Sequence, residues 1–391
     1  MTVSSATIPF HRPSIGDREK AAVMAVLDSG WLTTGERTVQ FEAAISERLG
    51  VRHAVAVNSA TAALHLALEA LGVGPQHEVI VPSYTFAASG ETVRYLGARP
   101  RIADIDARTL NLSVETIAAQ VRPATRAIQV VHIGGLVADM GAIMAFAREH
   151  GLAVVEDAAH ALPASRDGRQ AAAWGDANAL SFYATKTVTT GEGGMLTTDS
   201  DEIADRARVM RLHGISRDAW KRYSAGGNWF YEIEDVGFKY NMTDIAAALG
   251  LVQLDRAEEM RLARERVAKR YDELFSQPDL ADLVDLPVHA APGDVHAWHL
   301  YPLRLRTERL TVTRDALIES LKADGIGTSV HFIPLHLHPY YRRTYGYAVG
   351  DFPVAEREYG REISLPIYPD LTDSEIERVV AAVARSVQRA G

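Results

Sequence analysis

Three short stretches carry residue types that could do chemistry together. The first is SFYATKTVTTGEGG at 181–194, where a single lysine, Lys186, sits among small and apolar residues. It follows Ala179, Leu180, Phe182 and Tyr183, which read as a buried strand. A confined apolar site disfavours the charge of a lysine, and the free amine attacks carbonyls to form Schiff bases. The second stretch is VVEDAAH at 154–160, which puts Asp157 at the end of an apolar run. A buried carboxylate needs a partner, and an arginine, a helix cap or a protonated ring nitrogen would each serve. The third is VNSATAAL at 57–64, a strand end followed by Ser59 and a helical pattern. The free N–H groups of a helix start seat phosphate well, although a plain serine-capped helix reads the same way.

The elements that must position these residues follow from periodicity. Glu78–Val81, Arg101–Asp106, Ala127–Ile133 and Ala153–Asp157 read as strands, and Ala60–Leu71 and Asp139–His150 carry helical spacing of apolar residues. Such alternation predicts an α/β fold with a mostly parallel sheet and helices on both faces, its ligands at the carboxyl ends of the strands. Thr243–Tyr271 reads as one long helix. Beyond it, a strand at Trp298–Leu305, a helix at Arg314–Asp324, a strand at Thr328–Phe332 and a last helix from Asp373 form a smaller α+β layer. The expected division is a large α/β domain over 1–250, including the N-terminal segment, and a linking helix with a small C-terminal domain over 251–391. Trp220–Tyr231, with its Gly-Gly pair and several aromatics, reads as a loop over a pocket or interface.

Composition narrows the function classes. A net charge of -9 and the lack of any Lys/Arg run argue against a nucleic-acid partner. The absence of cysteine removes disulfides, thiolate catalysis and Cys-ligated metals, and fits a reducing compartment. The opening MTVSSATIPFHRP lacks the pattern of a secretory signal, and no apolar run reaches the length of a membrane span, so a cytoplasmic protein is expected. The histidines of HAWH at 296–299 and His331, His336 and His338 lack the HExxH spacing and an evident carboxylate partner, so no metal site is expected.

A phosphate seat, an acidic partner for a ring nitrogen and a confined lysine are together what pyridoxal 5'-phosphate requires. The chain also resembles the DegT/StrS-type nucleotide-sugar aminotransferases, pyridoxal-phosphate enzymes of fold type I. The resemblance runs through GWLTTG at 30–35, VIVPSYTFAAS at 79–89, VVEDAAHA at 154–161, SFYATKTVTTGEGG at 181–194, GFKYNMTDIAAALG at 237–250, HAWHLY at 296–301 and GIGTSVHF at 325–332. It implies that Lys186 is the Schiff-base lysine and proton carrier, and that Asp157 pairs with the pyridinium nitrogen. His160 then lies near the cofactor's phenolic oxygen and Phe86 stacks on its ring. Ala60, Thr61 and Ser181 hold the phosphate, joined by Asn241 from the neighbouring subunit, so that a homodimer shares its active sites. Gly191, Gly193 and Gly194 would keep the backbone tight beside the cofactor, with Glu192 structural, while Tyr183 and His331 line the sugar pocket.

The implied reaction passes an amino group from L-glutamate to a keto group, expected at carbon 4, of a nucleotide-linked deoxysugar. Dehydratase relatives have a histidine in place of the lysine, which Lys186 argues against. Amination of a cyclitol ketone with glutamine as donor, amination of a sugar at carbon 3, and a non-catalytic regulatory role are the other readings.

Overall fold

The computed structural model describes residues 7–215 and 231–388. Its large sheet is built from β1 (His53–Val57), β2 (Glu78–Pro82), β3 (Arg99–Ala103), β4 (Thr125–Val131) and β5 (Ala153–Asp157). After a short hairpin of β6 (Ser165–Arg166) and β7 (Arg169–Gln170), β8 (Ala177–Ser181) and β9 (Gly194–Thr198) complete it. The seven strands lie in the order β1-β9-β8-β5-β4-β2-β3. Only β9 runs against the rest.

The strands are apolar along their length because helices cover both faces. Successive residues fall alternately into two cores. Ala54, Ala56, Ile80, Ile128, Val130, Val154 and Leu180 join one, packed with Phe41, Ile45 and Met260. Val55, Val57, Val79, Val81, Ala127, Val155 and Ala179 join the other, packed against the helix Ala60–Ala70. This parity separates the adjacent acids of β5. Glu156 turns to the first face, where it takes the His132 Nε2 contact at 2.8 Å and the N–H groups of Ala172, Trp174 and Gly175. Asp157 turns to the second, the face of the helix whose start reads as a phosphate seat.

A third core collects Ile8, Val267, Tyr271, Tyr301, Leu303, Ile363 and Val383 around β10 (Val284–Asp285), β11 (Tyr301–Leu305) and β12 (Glu362–Leu365). These three strands form an antiparallel sheet. Ile8 reaches it through a bridge to Ile326, which ties the N-terminal segment to the C-terminal part of the chain.

Two predicted elements differ in the structure. The helical stretch 243–271 is two helices, Asp244–Asp255 and Ala257–Phe275, meeting at Arg256. The break lets Leu254, Ala257 and Met260 pack into a large-sheet core while Val267, Tyr271 and Phe275 enter the third. The segment 328–332 is not a strand. It makes one bridge, Ser329 to Ser364, because the carboxylate of Glu362 takes the His331 N–H at 3.0 Å. The other strands shift by a few residues: β3 and β4 begin two residues before the predicted runs, and β11 begins at Tyr301, after Trp298 with its positive φ of 49°. The predicted loop 220–231 lies, Tyr231 apart, outside the described residues. Among the described residues no helix is long and apolar enough to cross a membrane.

Removing Glu156 strands buried amides and a buried histidine at once. Glu156→Ala should therefore destabilise the fold by about 3–5 kcal/mol. Denaturant unfolding checks this, and a wild-type midpoint and slope would contradict it.

Candidate active site

The carboxyl ends of β1, β5 and β8 meet at a cavity of about 600 Å³. Ser59, just after β1, caps the helix Ala60–Ala70, its Oγ accepting the Ala62 N–H at 3.1 Å. Ala60 and Thr61 stand at the start of that helix, where N–H groups have no intrahelical acceptor. Ser181 ends β8 on the same face as Asp157, two residues beyond Ala179. Gly194 pairs with both Val57 and Ser181, closing strands from both sides onto this seat. A Cβ at Gly194 would lie 2.3 Å from the Ser59 carbonyl carbon and 2.6 Å from the Ala60 nitrogen, so only glycine allows the approach. Gly191 serves a different need, a positive φ of 80° in the turn back from Lys186.

Asp157 is almost fully buried. Thr85 Oγ1 lies 2.8 Å from Ser89 Oγ, which donates to Asp157 Oδ2 at 2.9 Å, and the Ala159 N–H donates to Oδ1 at 3.2 Å. Burial nevertheless raises the carboxyl above its usual range, with those hydrogen bonds and the Lys186 charge working against it. Such a group gains from a cationic N–H in the cavity. Lys186 follows a turn in which its N–H bonds the Tyr183 carbonyl. Its side chain opens onto the cavity and its nearest polar partner is His299 Nε2, at 3.4 Å. Enclosure lowers its amine to about 8, and the Asp157 carboxylate raises it against the further lowering by Arg264. Arg264 is buried too, pushed down to about 10, and its Nη1 donates to the carbonyls of Trp298, His299 and Ile367.

The remaining predicted residues divide cleanly. His160, Phe86, Tyr183 and His331 line the same cavity as Ala60, Thr61, Asp157, Ser181 and Lys186. The Gly134 N–H points at His160 Nδ1, 3.4 Å away, so Nδ1 accepts and the proton sits on Nε2. Burial holds His160 well below the usual histidine range and hence neutral. Phe86 is 62% exposed, leaving a ring face open to a planar ligand. Glu192 lies on the cavity wall, with its carbonyl taking the Thr190 hydroxyl. Asn241 is not in the lining: it bridges Val57, donates to Thr34 Oγ1 at 2.8 Å and accepts from Lys239 Nζ at 2.6 Å.

Sequence reading missed several contributors. Phe10 and His11 arrive from the N-terminal segment, His11 anchored by the Ala184 carbonyl at 2.9 Å. Ser89 lies inside the quoted VIVPSYTFAAS, but only the fold brings it to Asp157. His299 lies beside His160, ring centroids 4.3 Å apart and tilted by 40°, whereas its motif neighbour His296 is spent on the Trp298 N–H and ring. His336 is held by Ser83 and Glu356 away from the cavity.

The sequence profile of the DegT/DnrJ/EryC1/StrS aminotransferase family matches residues 13–384. The uncharacterized protein MJ1066 of Methanocaldococcus jannaschii is 49% identical over 98% of this chain and 99% of its own length. The spore coat polysaccharide biosynthesis protein SpsC of Bacillus subtilis is 48% identical over 98% of each chain. Among solved structures, the PLP-form of the putative sugar aminotransferase Spr1654 from Streptococcus pneumoniae superposes with a TM-score of 0.90 at 30% identity, covering 98% of this chain and 99% of that one. The chain belongs to this family of pyridoxal-phosphate-dependent sugar aminotransferases and has its fold type I architecture.

The cavity fits that cofactor on its own evidence. It offers a helix start pinched close by Gly194, a buried carboxyl in want of a cation, an open aromatic face and an enclosed amine. An amine lowered to about 8 is half free at that pH, and its free fraction falls about tenfold for each unit below it. In the apoprotein, labelling of Lys186 by an amine-reactive reagent, followed by mass spectrometry, should level off above about pH 8. A rate still climbing toward the ordinary lysine range, about 10.4, would contradict the enclosed amine.

Proposed function

We propose that the chain transfers the amino group of L-glutamate to carbon 4 of a nucleotide-linked keto-deoxysugar, as a cytoplasmic homodimer with shared active sites. The observation that carries this reading is the meeting of Lys186, Asp157 and the Ala60 helix start around one cavity of about 600 Å³, within the range of small-molecule sites. The polysaccharide-biosynthesis name of SpsC and the sugar-aminotransferase name of Spr1654 support a sugar as acceptor. Carbon 4 is read from the likeness of HAWHLY at 296–301 and GTSVHF at 327–332 to family members that aminate that carbon.

Bound pyridoxal phosphate would supply a protonated ring that draws electrons from the carbon losing its proton. Each residue then has a task. Asp157, fixed by Ser89 and the Ala159 amide, holds a proton on the ring nitrogen because its buried carboxyl is stabilised by a cation. The Ala60 and Thr61 amides and the Ser181 hydroxyl take the phosphate. Phe86 would cover a ring face of the bound cofactor, and neutral His160 would offer it an Nε2–H. Lys186 has an amine near neutrality and can accept and return a proton at Nζ without a large energy gap either way. Asn241, outside its own chain's cavity, would reach the partner's phosphate with the amide hydrogen that Thr34 does not take.

The holoenzyme's near-visible absorption should bleach with L-glutamate and return on adding dTDP-4-keto-6-deoxyglucose, with a 4-amino sugar as product. No bleaching by glutamate would sink the donor assignment, and amination at another carbon would sink the position. Lys186→Ala should fold and lose turnover entirely, while Asn241→Ala should retain cofactor poorly. In mixed dimers of these two variants, a shared site leaves one centre with both residues intact, so activity should partly return. Absence of rescue in a sample shown to hold mixed dimers would retire the shared site.

A further inference from the structure

His331 enters the cavity with two buried residues behind it that have no task in the reading above. Its Nδ1 lies 2.8 Å from Ser364 Oγ, and the Ser364 hydroxyl donates to Glu362 Oε1 at 2.5 Å. Glu362 Oε2 accepts the His331 backbone N–H at 3.0 Å. Ser364 and Glu362 are wholly buried. The ring of His331 is held in place by Phe10, stacked at 5.6 Å, and by Phe332, edge-on at 4.9 Å.

The proton count in this chain of contacts has one solution while Glu362 is ionised. A serine hydroxyl carries one proton. With that proton committed to Glu362, Ser364 can only accept from His331, so Nδ1 bears the ring proton. Burial, aided by the Lys186 charge, pushes His331 down to about 4, which leaves the ring neutral with no second proton. Nε2 is then a bare lone pair, the polar atom His331 offers to the cavity.

We propose that Glu362 and Ser364 are positioning residues that fix His331 with its cavity-facing nitrogen as a hydrogen-bond acceptor, selecting a substrate ring that presents a hydroxyl there. A carbonyl or ether oxygen at that point would face a lone pair and be disfavoured. The proposal rests on the sugar-acceptor reading for its ligand, whereas the relay itself is a property of the protein alone.

Glu362→Gln tests the relay by reversing it. The His331 N–H requires the amide oxygen of the new side chain, which turns its NH₂ toward Ser364. The serine must then accept from that NH₂ and donate to Nδ1, so the ring proton moves to Nε2. Burial pushes Glu362 up to about 7, against Ser364, the His331 amide and the charges of Arg314 and Arg304, with Tyr84 also facing it. The measurement therefore belongs well above pH 7, where the carboxylate is ionised. Long-range proton–nitrogen spectra of the 15N-histidine holoenzyme, with His331 identified by loss of its signals in His331→Gln, report the tautomer directly. Wild type should show Nδ1–H, Glu362→Gln should show Nε2–H, and Ser364→Ala should lose the fixed preference. An Nε2–H ring in wild type, or an unchanged ring in a folded Glu362→Gln, would overturn the relay.

A kinetic arm addresses the ligand. One lost hydrogen bond is worth about tenfold, so Glu362→Gln should raise KM for dTDP-4-keto-6-deoxyglucose about tenfold, while kcat of the glutamate half-reaction moves less than about twofold. Equal losses in both half-reactions would mark a merely structural role and overturn the proposal. If wild type turns over none of the dTDP-, UDP- and GDP-linked 4-keto-6-deoxysugars, the sugar reading fails and the spectra still decide the relay.

Discussion

The enclosure of one lysine amine sets the terms for everything around it. An ammonium ion loses hydration when protein surrounds it, and the Asp157 carboxylate offsets part of that loss at Lys186. A second buried cation, Arg264, presses the same way. Four cavity histidines, His11, His160, His299 and His331, are held neutral by the same burial, so they add hydrogen-bonding atoms without adding positive charge. The result is an amine that gives up its proton readily and a carboxylate that favours a cation, facing each other across one space.

Such a site needs walls that do not move, and the large sheet provides them. Helices on both faces remove its strands from water, and the side-chain period of two decides what each residue can do. Glu156 and Asp157 have the same chemistry and adjacent positions. Parity sends the first into a lattice of backbone amides, where it holds the chain together, and the second into the cavity. Parity likewise sends Leu180 into a core and Ser181 to the site. Gly194 completes the geometry by letting β9 press against the Ser59–Ala60 turn, which fixes where the helix start points.

The cavity is completed by segments far apart in sequence. The N-terminal segment bridges to Ile326 through Ile8 and carries Phe10 and His11 inward. His299 follows Trp298, whose positive φ ends the approach to β11, and Arg264 from the helix Ala257–Phe275 fastens the backbone there through three carbonyls. His331 comes from a stretch whose backbone amide is taken by a side chain, which is why it forms no ladder and is free to turn its ring inward.

The sequence by itself determined the α/β class, the order of the main elements and nine of the residues that meet in the cavity. It could do so because each leaves a local trace: a lysine in apolar company, an acid at a strand end, a serine before a helix, and motifs that resemble a family. It did not determine where the 243–271 helix breaks or that 328–332 makes only one bridge, since both follow from which distant core or carboxylate a residue meets. Nor could it reveal Ser89 beneath Asp157, His299 beside Lys186, or the path from Glu362 through Ser364 to His331. A serine, a histidine and a glutamate are ordinary in sequence. Their roles rest on distances near 3 Å between residues up to 113 positions apart, and only tertiary packing sets those distances.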